Sequence, residues 1–281
     1  MDEAQIKEMV RARYGSIAIG AGPSEDTASS HSPCCSPAAA SCCGPVPALR
    51  FEDKALRMGY SEAEVGAVPE GANLGLGCGN PQADAAMQAG EIVIDLGSGA
   101  GFDCFLAAQQ VGPTGRVIGV DMTHEMLKKA RENAAKVAAT NVEFRLGELE
   151  HLPVADNTAD VVISNCVINL VPDKGQVFRE AFRVLKPGGR IAVSDIVNTA
   201  PLPPDLRADP SFICGCVAGA ATVDQVQRWL SETGFIDVGV TVKPERRELI
   251  KTWAPGRGIE DYVASAIIEA RKPSKSAINR A

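Results

Sequence analysis

Three histidines in 281 residues are few, and none of them (His31, His124, His151) stands near a pair of cysteines in a spacing that zinc uses. A structural zinc site wants four ligands, as CxxC pairs or with histidine, so the sequence argues against one. There is no basic block either, and the formal net charge is −7. A nucleic-acid partner wants a basic stripe, so none is expected. No stretch reaches about 18 uninterrupted apolar residues, and the opening MDEAQIKEMVRARYG is acidic, with no apolar core of signal-peptide length. Neither a membrane partner nor a secretory leader is expected, and the protein reads as cytoplasmic. An internal repeat is also lacking, which argues against a solenoid or propeller.

What the chain has instead is thiols. Nine cysteines, an odd number, suit a secreted disulfide framework poorly when no leader is seen. Four sit in CCSPAAASCC as Cys34, Cys35, Cys42 and Cys43, and the others are Cys78, Cys104, Cys166, Cys214 and Cys216. Reduced thiols kept for reactivity or for a soft ligand explain that usage better than structural bridges. The 45% hydrophobic and 22% charged residues suit a soluble chain that buries a full core, as one large domain or as one domain with an appendage.

Residues 1–50 hold an N-terminal helix, with Ile6, Met9, Val10 and Tyr14 at near-helical spacing, and then a Gly-, Ala-, Ser- and Pro-rich segment that carries the paired thiols. Within residues 51–200, Ser61 and Glu64 suggest a capped helix. The strands EIVIDL, GRVIGVDM, VEFRLG, ADVVISN and IAVSDIV then alternate with helices. These helices cover Phe102–Gln110, THEMLKKARENAAKVAA capped by Thr123, and DKGQVFREAFRVLKPGGR stopping at Pro187–Gly189. Such alternation means an α/β fold, a mostly parallel sheet with helices on both faces. Residues 201–272 hold a thiol-bearing insertion, the helix TVDQVQRWLSETG, the strand FIDVGVTVK, a helix in ERRELIKTWA and a last strand in DYVASAIIEARK; residues 273–281 form a tail.

DLGSGAG, Asp95 to Gly101, follows the first strand. Gly97, Gly99 and Gly101, with Ser98 among them, allow a tight turn and close backbone approach to a ligand. A glycine run alone is a weak signal, and an ordinary strand–helix turn is the bland reading. Two features lift it. Asp121, with Met122 beside it, ends the second strand, where a carboxylate accepts both ribose hydroxyls. GELEHLP follows the third strand, so Glu148 is expected to meet an adenine amino group and the Leu149 backbone its ring. A nicotinamide cofactor makes similar demands, but the carboxylate of Asp95 would repel a pyrophosphate and suits a cationic, phosphate-free cofactor. This pattern, with DVVISNCVIN and VLKPGGRIAVSD further on, resembles the S-adenosyl-L-methionine-dependent methyltransferases of Rossmann-like class I fold.

Cys166 and Asn165 end the fourth strand, beside the expected methionine half of such a cofactor. Cys78 lies on a Gly-rich loop ahead of the first strand, and Cys214 and Cys216 lie in the insertion. In an open α/β fold these regions can converge above the carboxyl edge of the sheet. Three thiolates without a histidine partner select a soft centre, such as trivalent arsenic or antimony, with zinc as the bland reading. Cys104, in the first turn of the glycine-loop helix, reads as a packed core residue. Asn80 and Asn165 are candidates to meet the methionine end of the cofactor.

On GLGCGNP, DLGSGAGFDCFLAA, VGPTGRVIGVDMTHEML, LPVADNTADVVISNCVINL and CVAGA, the sequence resembles the arsenite methyltransferases that use S-adenosyl-L-methionine, from VRARYG to YVASAIIEARKP. The resemblance implies that Cys78, Cys166 and Cys216 handle arsenic and that Cys166 and Cys216 bind it through the methylation. It implies that Cys78 exchanges disulfides with a cysteine nearer the N-terminus, and that Cys34 with Cys35, or Cys42 with Cys43, collects arsenite. RYG, with Tyr14, would close over the methionine end of the cofactor, packing being the bland reading of that aromatic. The implied reaction takes arsenite or its thiol adducts to methylated arsenicals, the number of methyl groups (one or two) being open, a detoxification, with thioredoxin or glutathione as the thiol reductant. The chain ends soon after the last expected strand, so no longer thiol-bearing C-terminal extension is expected. Two other readings stand open. A methyltransferase for a small organic acceptor predicts an acid or histidine facing the methyl group, and a non-enzymatic metalloid-binding protein needs the thiols without the cofactor set.

Overall fold

The computed structural model describes residues 2–20 and 50–274. Helix α1 (Glu3–Ala18) starts at Asp2, whose carboxylate accepts the Gln5 N–H while the Gln5 side chain accepts the Asp2 N–H. Two free donors of the first turn are thereby satisfied reciprocally. Helices α2 (Phe51–Met58), α3 (Glu62–Ala67) and α4 (Gln82–Ala85) lead to the sheet. Ser61 and Glu64 form the expected capping box at α3.

The regular part then alternates: β1 (Ile92–Leu96), α5 (Phe102–Val111), β2 (Arg116–Asp121), α6 (His124–Lys136), β3 (Val142–Leu146), β4 (Ala159–Asn165), α7 (Lys174–Val184) and β5 (Leu185–Asn198). It continues through α8 (Pro204–Ala208), α9 (Pro210–Ile213), β6 (Ala221–Thr222), α10 (Val223–Thr233), β7 (Ile236–Val242), α11 (Arg247–Lys251) and β8 (Val263–Arg271). The strand order is β3-β2-β1-β4-β5-β8-β7, with β6 beside the end of β5. Strands β1 to β5 pair in parallel, while β8 lies antiparallel between β5 and β7. The sheet is the mostly parallel one expected, with one reversed strand.

Alternate residues of the strands feed two apolar layers. Ile94, Ile118 and Val162 pack with Phe178 of α7 and Leu230 of α10, whereas Val93, Val117 and Ile163 pack with Phe105 of α5 and Leu127 of α6. Burial on both faces is why these strands read as continuous β-branched runs. Strand order reverses between β1 and β4, and the crevice at their carboxyl ends is where such sheets bind ligands.

Three local expectations need correction. Thr123 stands at the cap position of α6, but its side chain makes no cap bond; its N–H instead donates to Asp121 Oδ1 at 2.8 Å. Helix α7 stops at Val184, short of Pro187, because Leu185 already pairs with Ala159 and LKPGGR belongs to β5. A residue before proline favours extended backbone, which favours the earlier stop. ERRELIKTWA is α-helical only over Arg247–Lys251. No described helix is long and apolar enough to cross a membrane.

Candidate functional site

The loop between β1 and α5 opens a cleft with about 1130 Å³ of empty space, lined by Asp95, Ser98, Asp121, Met122, Leu149 and, from α1, Tyr14. Gly99 is left-handed, with φ of 50°, and a Cβ there would meet only Met126 Sδ, at 3.9 Å. Its backbone is therefore open to the cleft. The Gly99 N–H donates to Asp121 Oδ2 at 2.9 Å, so the carboxylate expected to meet the ribose also props the glycine loop. Burial raises the Asp121 pKa, and backbone N–H donors oppose that shift. The Ser98 hydroxyl is buried without a partner among the described residues. A cleft with an open glycine backbone, two carboxylates and a spare hydroxyl fits the cofactor that the sequence suggests.

Asp95 is buried and accepts the Cys104 S–H at 3.2 Å. Burial, then the neighbouring Asp103, pushes its carboxyl well above the usual range. Cys104 is thus a core thiol that also touches the acid of the glycine loop. Asp103 accepts the Tyr60 hydroxyl at 2.7 Å and the Gln82 amide at 3.1 Å. The Asn165 side chain is taken up nearby. Its Oδ1 accepts the Cys78 N–H at 3.0 Å, and its Nδ2 donates to the Gly79 carbonyl at 2.8 Å and to the Tyr60 hydroxyl at 2.9 Å. Asn165 therefore ties the Cys78 loop to the end of β4 at the wall of the cleft. A Cβ on Gly77 would stand 2.8 Å from that amide, which explains a glycine there.

Two residues expected near the cofactor are engaged with other parts of the chain. Glu148 is bound by Lys7 Nζ at 2.6 Å and Arg11 at 2.8 Å, and it does not line the cleft. Lys7 and Arg11 belong to α1, while Leu149 and Glu150 line the cleft. Asn80 is buried against the Gly59 carbonyl and the Gln82 N–H, away from the cleft wall.

The thiols meet at the rim of β4. Cys78 Sγ, Cys166 Sγ and a carboxylate oxygen of Asp195 lie within 4.8 Å of one another, all buried. Cys216 Sγ donates to the Cys166 carbonyl at 2.9 Å. Hydrogen bonds to Cys216 and Cys78, with burial, push the Cys166 thiol well up. Cys166 draws the Cys216 thiol down, but burial and Asp195 leave it raised. Both residues are left-handed, with φ of 60° at Cys166 and 63° at Cys216, a region that side chains other than glycine rarely adopt. The Cys166 N–H is pinned to the Ser194 carbonyl at 2.7 Å. Cys214 differs: its carbonyl accepts the Tyr14 hydroxyl at 3.3 Å, anchoring α1 to the insertion. Cys34, Cys35, Cys42 and Cys43 lie outside the described residues.

Sequence reasoning missed Asp195, Tyr60, Asp103 and Lys7. The signal for Asp195 is an acid inside the otherwise apolar IAVSDIV. Its Oδ1 accepts the Asn169 amide at 2.8 Å and the Ile196 N–H at 2.7 Å, while Oδ2 is buried without a partner among the described residues. Burial pushes its pKa up to about 6, against the opposing pull of the backbone N–H donors and Lys174. Tyr60, Asp103 and Lys7 leave no such trace, since their neighbours come from distant parts of the chain.

A family model described as a methyltransferase domain matches residues 87–234. An arsenite methyltransferase of Halobacterium salinarum is 53% identical over 277 residues, which cover 98% of this chain and 68% of that protein. The human arsenite methyltransferase is 39% identical over 152 residues, 51% of this chain, and the match spans only 40% of the human protein. Among solved structures, an arsenic(III) S-adenosylmethionine methyltransferase from Chlamydomonas reinhardtii superposes with a TM-score of 0.60 at 30% identity, covering 80% of this chain and 74% of that one. A Haemonchus contortus phosphoethanolamine N-methyltransferase shares the fold, with a TM-score of 0.59 at 22% identity, over 81% of this chain and 61% of that one.

Proposed function

The chain belongs to the arsenite methyltransferase family, and from that premise we propose that it methylates trivalent arsenic held by the thiols of Cys166 and Cys216. The observation that carries this reading is the meeting of buried thiols from three chain segments beside the glycine-loop cleft. Arsenite exchanges hydroxyls for thiols: each step breaks an As–O bond, forms an As–S bond and releases water. That exchange moves no net charge into a buried site, so protonated thiols are suitable partners. A divalent metal would need the same thiols deprotonated and then buried as anions.

S-adenosyl-L-methionine, when bound, supplies an electrophilic methyl group for the arsenic lone pair. That nucleophile has no proton to lose, so no general base is needed. Asp95, Ser98, Gly99 and Asp121 would hold the cofactor, with Met122, Leu149 and Tyr14 packed along the cleft. The two arsenic-bearing cysteines, fixed by their backbone conformation, align the metalloid, and alignment is the main contribution asked of the chain. Methylation raises arsenic formally to the pentavalent state. Two thiols return it to the trivalent state by forming a disulfide and releasing two protons. Cys78 takes this redox part, with one of the four N-terminal cysteines as its partner and thioredoxin or glutathione as the reductant.

The test is to incubate the protein with arsenite, a dithiol and S-adenosyl-L-methionine, and then to separate the arsenic species by chromatography. Monomethylated arsenic should accumulate, followed by dimethylated arsenic. Inorganic arsenic left unchanged under these conditions would overturn the proposal.

A further inference from the structure

The unpartnered oxygen of Asp195 has no part in the reaction so far described. Asp195 is 3% exposed, and its Oδ2 makes no hydrogen bond of normal geometry among the described residues, although the backbone N–H groups of Asn169 and Ile168 pull its pKa down. A buried acceptor left unmet is costly, more so when charged, unless something bound to the site donates to it. The carboxylate stands within 4.8 Å of the Cys78 and Cys166 sulfurs, and its charge acts on Cys216 as well. It is therefore within reach of a substituent on an atom bound by the Cys166 sulfur. Its other oxygen is fixed by Asn169 and Ile196, so the carboxyl group cannot turn away without losing two hydrogen bonds.

Resting on the arsenite reading above, we infer that Asp195 recognises the hydroxyl that remains on arsenic after two thiols have bound. Arsenite has three hydroxyls. Exchange with two cysteines breaks two As–O bonds, forms two As–S bonds and releases two waters, leaving (RS)₂As–OH with arsenic still trivalent. That last hydroxyl is a donor, and Asp195 Oδ2 accepts its hydrogen bond. Monomethylarsonous acid undergoes the same two exchanges, but its third substituent is then a methyl group, which donates nothing. Asp195 thus favours inorganic arsenic over the monomethylated product and sets the ratio of first to second methylation. Hydrogen bonds are directional and an unmet polar group is costly, so a site built to bond a hydroxyl discriminates well against an analogue lacking it.

The test compares the parent with Asp195→Asn on arsenite and on monomethylarsonous acid. Asparagine keeps the volume and the oxygen that faces Asn169 and Ile196, but turns the spare acceptor into a donor. In the variant, kcat/KM on arsenite should fall about 10- to 100-fold more than on monomethylarsonous acid. The same ratio should appear in the dissociation constants of the two arsenicals for cofactor-free protein, read from arsenic–thiolate absorbance. Equal losses on both substrates would overturn the inference, since a merely structural role, or a third thiol in place of the hydroxyl, predicts equality. A parent that binds both arsenicals but methylates neither would overturn the proposed function, and the binding ratio would then decide the part of Asp195.

Discussion

At the scale of single residues, Cys166 and Cys216 hold left-handed backbone where glycine would be unstrained. That conformation costs a side-chain-bearing residue about 1–2 kcal/mol, and burying a small apolar group returns a similar amount. Cys166→Gly should therefore change stability by less than about 1 kcal/mol, because relieved strain offsets the lost packing. Denaturant unfolding checks this, and methylation assays on the same preparation should show activity lost. A large destabilisation would make Cys166 a packing residue rather than one retained for its thiol. Asp121→Ala removes both the expected ribose acceptor and the partner of the Gly99 N–H. Cofactor affinity should fall at least about tenfold, while arsenite affinity stays within about twofold, as titration calorimetry can measure for each ligand. Unchanged cofactor binding would refute the assignment.

At the scale of elements, α1 crosses the mouth of the cleft and is tied down by charges at one end and by Tyr14 at the other. Lys7 reaches both Glu148 and Glu150, and Arg11 reaches Glu148. These groups are partly exposed, so each pair contributes only about 0–1 kcal/mol and salt weakens it. The hydrogen bond from Lys7 holds the Glu148 carboxyl below its usual range. A depressed carboxylate stabilises the folded state above its unfolded pKa, near 4.3, and that contribution fades as pH falls through the lower folded value. Glu148→Gln should raise the cofactor KM a few-fold with little change in kcat. It should also lower the protection factors of the α1 amides at neutral pH, and lowering the pH below about 4 should do the same to the parent once the intrinsic exchange rate is divided out. Exchange in α1 that is indifferent to both changes would mean that these ion pairs do not hold the helix.

At the scale of the whole molecule, the alternating α/β order was legible because β1 to β5 are buried on both faces and flanked by amphipathic helices. The glycine turn, Asp95 and Asp121 were legible for the same reason, since their places follow from strand ends. The reversed strand β8 was not, because parallel and antiparallel neighbours demand the same apolar pattern. Contacts between distant segments were hidden as well: Lys7 with Glu148 joins residues 141 apart, and Asn165 with the Cys78 N–H joins residues 87 apart. The ion pairs of Glu148 were hidden for the same reason, since α1 is distant from β3 in the sequence. The central claim, that the thiols at the rim of β4 carry arsenic, is tested most directly by single-turnover methylation of arsenite under a dithiol. The rates to compare are those of the parent, Cys166→Ser, Cys216→Ser and Cys78→Ser, each first shown to bind S-adenosyl-L-methionine. Serine is a hard, protonated ligand with little affinity for trivalent arsenic, so Cys166→Ser and Cys216→Ser should form no methylated product, whereas Cys78→Ser should retain its first turnover. Methylation of arsenite by Cys166→Ser at the parental rate would contradict the account.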